Sequence, residues 1–235
     1  VRASNHEATV GAPPWANAAS YVYDGSTEAV VYDYDAAFDL GGTDQFTVSL
    51  WVYASSITFL GGMACMAISN DGDYQWIVHW YNTLQRIQAR INASGKTTLE
   101  SVTVMALDAW HHVVATYDGG DFTLYVDDTE EATKPKTGNF VASGASSHLH
   151  IGRWYNSTKY FSGNLDEVAV LSEARDASWV TAAYNGGTPT DLSGESGLVV
   201  YQRSEVWAPV DTADASYTIS GVDMDASNLD TGTYP

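Results

Sequence analysis

A chain of 235 residues, 45% hydrophobic and 17% charged, has enough apolar material to bury a sizeable core, which excludes wholesale disorder. Ten Lys+Arg against 29 Asp+Glu leave a formal net charge of -19, so nucleic acid and an anionic membrane surface are excluded as partners by repulsion over the whole surface. No run of about 18 apolar residues occurs, so membrane insertion is not expected, and the single cysteine, Cys65, can form neither an internal disulfide nor a cysteine-based zinc site. The compartment stays open on cysteine usage. The chain begins at Val1 with no signal-peptide pattern.

In chain order, the strand candidates are Tyr21–Tyr23, Gln45–Tyr53, Ala64–Ile68, Tyr74–Tyr81, Arg86–Ile91, Leu99–Val104, His111–Asp118, Phe122–Asp127, Ser147–Gly152 and Asn164–Leu171. All are short runs rich in aromatic and β-branched residues, and several alternate cleanly. In Phe122–Val126, for example, Phe122, Leu124 and Val126 face one way while Thr123 and Tyr125 face the other. Asn70-Asp71-Gly72, Ala93-Ser94-Gly95 and Asp118-Gly119-Gly120 supply turn residues that tolerate positive φ. Strands at this spacing predict a sandwich or barrel, not βαβ units. One helix is expected over Asp176–Tyr184, where Trp179, Val180, Ala183 and Tyr184 fall at helical spacing before a Gly186-Gly187 stop. Residues 187–197 have linker composition, and strand-like Leu198–Gln202 and Tyr217–Val222 follow. A soft boundary near residue 188 divides a main domain, 1–187 with an N-terminal arm over 1–20, from an acidic extension over 188–235. That extension is too short for an independent core without disulfides or metal, so it should pack on the sandwich or on a neighbouring subunit.

The runs Phe46-Thr47-Val48-Ser49-Leu50-Trp51-Val52, Trp110 through Asp118, Leu124-Tyr125-Val126-Asp127, Phe161 through Val170 and Trp179 through Gly187 resemble, in order, the signatures of the LamG-like jelly-roll family. That family belongs to the concanavalin A-like lectin/glucanase superfold. The resemblance implies an all-β fold, a two-sheet antiparallel jelly-roll sandwich with one short helix. It implies little about function, because the fold serves lectins, glycosidases, adhesins and spacers. Trp51 and Trp110 are expected between the sheets. Asp128 stands where the family turns on Gly, so a longer hairpin is expected there. Gly197-Leu198-Val199-Val200-Tyr201 resembles a strand that usually precedes such a module, and here it follows one.

For catalysis, the retaining glucanases of this superfold carry Glu-x-Asp-x-Glu on one strand, which sets three carboxylates on one face. The chain has no such run. Asp127-Asp128…Glu130-Glu131 reads as a solvated turn, and Asp166-Glu167 has Val168 after it where a further carboxylate would stand. No catalysis is therefore expected. His148 and His150 share a strand face, a spacing zinc can use, without an evident third ligand. His111 is expected inside and His112 outside. By resemblance, one structural calcium ion would be held by Asp24, the Gly25 carbonyl and Asp166. For sugar or protein contact, Tyr74, Trp76, Val78 and Trp80 share one face of a strand whose other face carries Gln75, Ile77, His79 and Tyr81; one face must be core. Trp76 and Trp80 are therefore contact candidates, together with Trp154, Tyr155 and Tyr160 in a loop beside Lys159. Asn92-Ala93-Ser94 and Asn156-Ser157-Thr158 match the glycosylation sequon.

Three functions compete on this reading. The first is a non-catalytic structural or adhesive surface module, extracellular or on a virion, making contacts with neighbouring protein subunits or glycans. The second is a carbohydrate-binding module of a secreted enzyme, and the third, disfavoured, is a glucanase-type glycoside hydrolase. The stretch Gly221 to Asp230 is similar to the C-terminal ends of LamG-like proteins predicted in marine phage genomes, which favours the first as a virion decoration or fibre component.

Overall fold

A computed structural model describes residues 20–54, 56, 61–69, 73–81, 84–154 and 159–203, and the backbone of 217–219 and 222–224. Tyr155, the arm before Ser20 and most of the closing acidic stretch lie outside those residues. The strands are β1 (Tyr21–Asp24), β2 (Val30–Tyr32), β3 (Phe46–Tyr53), β4 (Gly61–Ser69), β5 (Asp73–Tyr81), β6 (Arg86–Asn92), β7 (Lys96–Glu100), β8 (Trp110–Tyr117), β9 (Asp121–Val126), β10 (Thr129–Pro135), β11 (His148–Ile151), β12 (Ser162–Leu171), β13 (Leu198–Gln202), β14 (Tyr217–Ile219) and β15 (Val222–Met224), with one α-helix, α1 (Ala177–Tyr184). The first sheet runs β1-β12-β3-β8-β9-β10, with β13 also paired to β12; the second runs β2-β11-β4-β5-β6-β7. Their pairings are antiparallel. The expected two-sheet jelly-roll sandwich with one short helix is the observed fold.

Alternation builds the core between the sheets. Phe46, Val48, Leu50 and Val52 of β3 meet Trp76, Val78 and Trp80 of β5 in one apolar cluster, with Phe46 and Trp76 rings 5.0 Å apart. Trp76 and Trp80 are each 1% exposed. They are core residues, which corrects their assignment as contact candidates: rings of this size are what separates and joins the two layers. A bulge alters the rest of the expected pattern. Met66 lies opposite Trp76 but Ala67 lies opposite Tyr74, so Gln75 is an extra residue. Gln75 is buried and its amide donates to Asp39 Oδ1 at 2.6 Å and the Val141 carbonyl at 2.7 Å. Tyr74 thereby leaves the face of Trp76 and packs with Cys65, Ala67 and Ile77 on the other side of the sheet.

The acidic run after β9 is also different from expectation. Asp127 and Asp128 both take positive φ, 49° and 67°, and Val126 pairs with Thr129, so the hairpin is a tight two-residue turn of the kind Asp tolerates. Glu130 and Glu131 belong to the edge strand β10, and Glu131 accepts from the Val102 and Thr103 amides at 2.7 Å. That contact holds 102–104 as a loop, so β7 ends at Glu100, short of the expected Val104.

The first sheet's outer face is covered. Asp176 caps α1 by accepting from Trp179 N at 2.9 Å, and Asn185 closes it in the left-handed region, φ 45°. Val180 packs on Val114 and Tyr125. Ala183 packs with Leu192, Ala169 and Leu171. Trp51 lies under this helix, not between the sheets: its ring stacks on His112 at 5.0 Å and on Tyr184 at 5.8 Å. Trp110 sits half-buried at the rim against Tyr53, 5.7 Å away. His112 is 1% exposed, so it is not a surface residue as alternation alone suggests; Ser49 Oγ bonds its Nε2 at 2.8 Å. From the extension, β13 adds Val199 and Val200 to the central core, and Tyr201 donates to the Glu167 carboxylate. Arg175 pins the segment before β13 by bonding the Ser196 carbonyl at 2.5 Å and pairing with Glu195 at 3.3 Å.

Candidate functional site

Among the described residues, no helix covers the second sheet's outer face. Register gives its rows directly: His150, Cys65, Ile77, Arg90 and Thr98 lie side by side, and Gly62, His79, Gln88 and Glu100 form the next row. Residues 152–154 and 159–160, after β11, lie against this face at Gly62. Their backbone is clamped there by Gly62 N donating to the Lys159 carbonyl at 3.3 Å and Trp154 N donating to the same carbonyl at 3.1 Å. Gly62 is required for the approach, because a Cβ there would sit 2.3 Å from Trp154 N. Gly152 is required too: its φ is +85° and a Cβ would meet the Tyr23 ring at 2.1 Å.

This clamp sets Trp154, partly buried, over His79, with ring centroids 5.4 Å apart. Arg90 lies 5.5 Å and Lys159 4.3 Å from the Trp154 ring, both cation–π distances. Lys96 lies 5.2 Å from the Tyr74 ring, and Arg153 lies 5.9 Å from Tyr160 while its Nε donates to His150 Nδ1 at 3.1 Å. Cations and rings thus interleave from Lys96 and Tyr74 through Arg90 and Trp154 to Lys159. Carboxylates are few here. Glu100 accepts from Arg86 at 3.0 Å and from Gln88 at 2.7 Å; Asp73 pairs with Lys96 at 3.5 Å.

Two imidazoles of this face, His79 and His150, are held neutral. Burial, then the charge of Arg90, pushes His79 down to about 3; burial, then Arg153 and His148, does the same to His150. His79 is 0% exposed and neither ring nitrogen has a hydrogen-bond partner. The arrangement offers flat apolar ring surface next to fixed hydrogen-bond donors, the combination that holds a sugar ring.

Of the loop residues expected to make contacts, Trp154 and Tyr160 are brought together here and Tyr155 lies outside the described residues. Arg90 and Arg153 were not anticipated. For Arg90 a signal was present in Arg86-x-Gln88-x-Arg90, whose alternation puts three polar long chains on one strand face.

The calcium set does not assemble. Asp24 lies opposite Ser162, and Asp166 is four residues further along β12, about 13 Å at the rise of a strand. Asp24 is already saturated, accepting from Ser26 N and Thr27 N at 2.8 Å, Glu28 N at 3.1 Å and the Ser26 and Thr27 hydroxyls at 2.6 and 2.9 Å. Desolvation opposes it, but those donors hold the carboxyl well below the usual range. Gly25 turns the chain at φ +76°. Asp166 is fully buried and accepts from Glu167 N at 3.0 Å. These residues do not fit a calcium ion, and among the described residues no three His, Cys, Asp or Glu group as a metal site, His148 and His150 included.

Sheet order, the interposed helix and the ring-lined face define a lectin-like sandwich. The family model described as the concanavalin A-like lectin/glucanases superfamily matches residues 24–181, and the chain belongs to that superfamily. Among solved structures, it is similar to a heptameric SAP-like pentraxin from Limulus polyphemus, at 18% identity and a TM-score of 0.55 over 78% of this chain and 91% of that one. It is also similar to a Bacteroides ovatus protein assigned to carbohydrate binding, at 17% identity and 0.62, over 88% of this chain and 55% of that one. A third is domain 4 of the extracellular arabinanase AbnA of Geobacillus stearothermophilus, solved with arabinotriose, at 18% and 0.55 over 77% and 84%. At these identities the likeness is one of fold. No curated protein matches the sequence.

Proposed function

We propose that the chain is a non-catalytic adhesive module that binds saccharides through the outer face of β2-β11-β4-β5-β6-β7. One observation carries this reading: Trp154, partly exposed and clamped by its backbone, stands beside Arg90 and Lys159 on the sheet face that α1 leaves uncovered. An aromatic ring held rigidly beside donors binds at a low entropic cost. The fold relatives described as carbohydrate-binding or solved with a saccharide are consistent with it. The carboxylates a glucanase would need are elsewhere engaged, since Asp166 is fully buried and Glu167 is held by Tyr201. On this reading the module acts outside the cell, where polysaccharides are displayed. Nothing in the described residues singles out a virion as its carrier. A glycan array probed with the protein and with Trp154→Ala tests the reading: hits that vanish in the variant support it, and an empty array for the wild type overturns it.

A further inference from the structure

The strands of the second sheet, with residues 152–154 and 159–161 beside them, hold Arg86, Arg90, Lys96, Arg153 and Lys159, five of the chain's ten cations. The same segments hold Asp73 and Glu100 alone out of 29 carboxylates. In a chain of net charge -19, cations thus outnumber carboxylates by three within these segments, with Asp33, just past β2, lying 3.8 Å from His148 Nε2 at the margin. Neither Glu100 nor Asp73 neutralises the centre. Glu100 is engaged by Arg86 and Gln88, Asp73 by Lys96 at the margin, and Arg90 forms no ion pair among the described residues while its Nε has no hydrogen-bond partner. Gln88 Oε1 accepts from Arg90 at 2.7 Å and orients it.

We infer that the saccharide taken by this face is acidic, a sugar bearing carboxylate or sulfate groups. The inference rests on the saccharide-binding reading and narrows it. Arg90 presents a planar fork that matches either anion, and Lys159 adds a point charge 4.3 Å from the Trp154 ring. The part of the Trp154 ring left exposed supplies the stacking surface beside them. A polyanion of another kind would meet the same charges but not the ring, and it would be repelled by the acidic remainder of the surface. The sugar's own ring, stacked on Trp154, makes the difference.

Titration calorimetry on the full chain tests this with a uronate oligosaccharide, a sulfated oligosaccharide, a neutral oligosaccharide of equal length and poly-glutamate. The expected result is binding of one or both acidic sugars at least about tenfold tighter than the neutral one and the peptide. Affinity falls with added salt. Arg90→Gln and Lys159→Gln each lose about tenfold or more, with melting temperatures followed as a fold control, while Arg203→Gln, after β13 on the other sheet, binds as wild type. The uronate and sulfate arms say which anion is taken. Equal binding of neutral and acidic sugars, unchanged in Arg90→Gln and Lys159→Gln, overturns the acidic preference and leaves saccharide binding standing. Equal binding of poly-glutamate, or an equal loss in Arg203→Gln, shows bulk electrostatics and overturns it as well. No binding of any sugar overturns both readings.

Discussion

Replacing His79 by Leu removes a buried group whose ionisation couples stability to pH. The imidazole is 0% exposed beneath Trp154, neither nitrogen is hydrogen-bonded, and burial with Arg90 nearby lowers its pKa from 6.5 to about 3. Because the folded pKa is depressed, the unfolded chain binds the proton more readily between those values. Stability is therefore full above about pH 6.5 and is lost as pH falls toward the folded pKa. At pH 5 the unfolded imidazole is mostly charged and the folded one is not, which amounts to about 2 kcal/mol at roughly 1.4 kcal/mol per pKa unit. His150 and His112, pushed down by burial to about 3 and about 4, act in the same direction. Against a total stability of roughly 5–15 kcal/mol, one such histidine matters. Urea denaturation at pH 7 and pH 5 measures it. His79→Leu should keep its pH 7 stability within about 1 kcal/mol, since a bonded polar group is not lost, and should lose about 2 kcal/mol less than wild type on going to pH 5. Equal losses in the two proteins would refute the burial argument.

Other outcomes follow from the same geometry. Gly62→Ala places a Cβ against Trp154 N, so the clamp must shift; saccharide affinity should fall about tenfold or more for a loss of roughly 1–3 kcal/mol in stability by overpacking, read by calorimetry and melting. His111 behaves oppositely to His79: burial lowers its pKa, but the Asp127 hydrogen bond at 2.6 Å and charge raise it overall. Its stabilisation is complete below the ordinary 6.5 and fades as pH rises through the folded value, so Asp127→Asn should lower the His111 pKa in an NMR titration. Deleting residues 188–235 strips Val199 and Val200 from the core; each contributes about 1.5–3 kcal/mol, and the melting temperature should drop by several degrees at least. Asp24→Ala should cost about 1–2 kcal/mol through its lost amide cap, equally with calcium and with chelator; a penalty that appears only with calcium would restore Asp24 as a ligand.

Much of the sandwich was legible because alternation is a local signal. Phe46, Val48, Leu50 and Val52 declare one face of β3 whatever lies opposite. The same rule gave His112 to solvent, because alternation says that it leaves the central core without saying that α1 will cover it; Trp51 was placed between the sheets on its size, although alternation with Leu50 and Val52 turns it to the α1 side. Alternation misread Tyr74 because the bulge at Gln75 depends on Asp39 and Val141, distant in sequence. At the site, Trp154 and Tyr160 were visible as aromatic residues in a loop. Arg90 was not, since its meaning comes from Trp154, distant in sequence, lying 5.5 Å from it. The calcium set failed for the same reason: the register of β1 on β12, which separates Asp24 from Asp166, is not written in either segment alone.

The most direct test of saccharide binding at the second sheet is to locate the bound sugar on the protein by amide and side-chain NMR shifts. Titration with a saccharide that the array selects should shift the Trp154 indole, Arg90, Tyr74 and the Gly62 amide together, in proportion to occupancy. Shifts gathered instead on Trp179, Val180 and the residues around β13 would contradict the account and place the ligand on the opposite sheet.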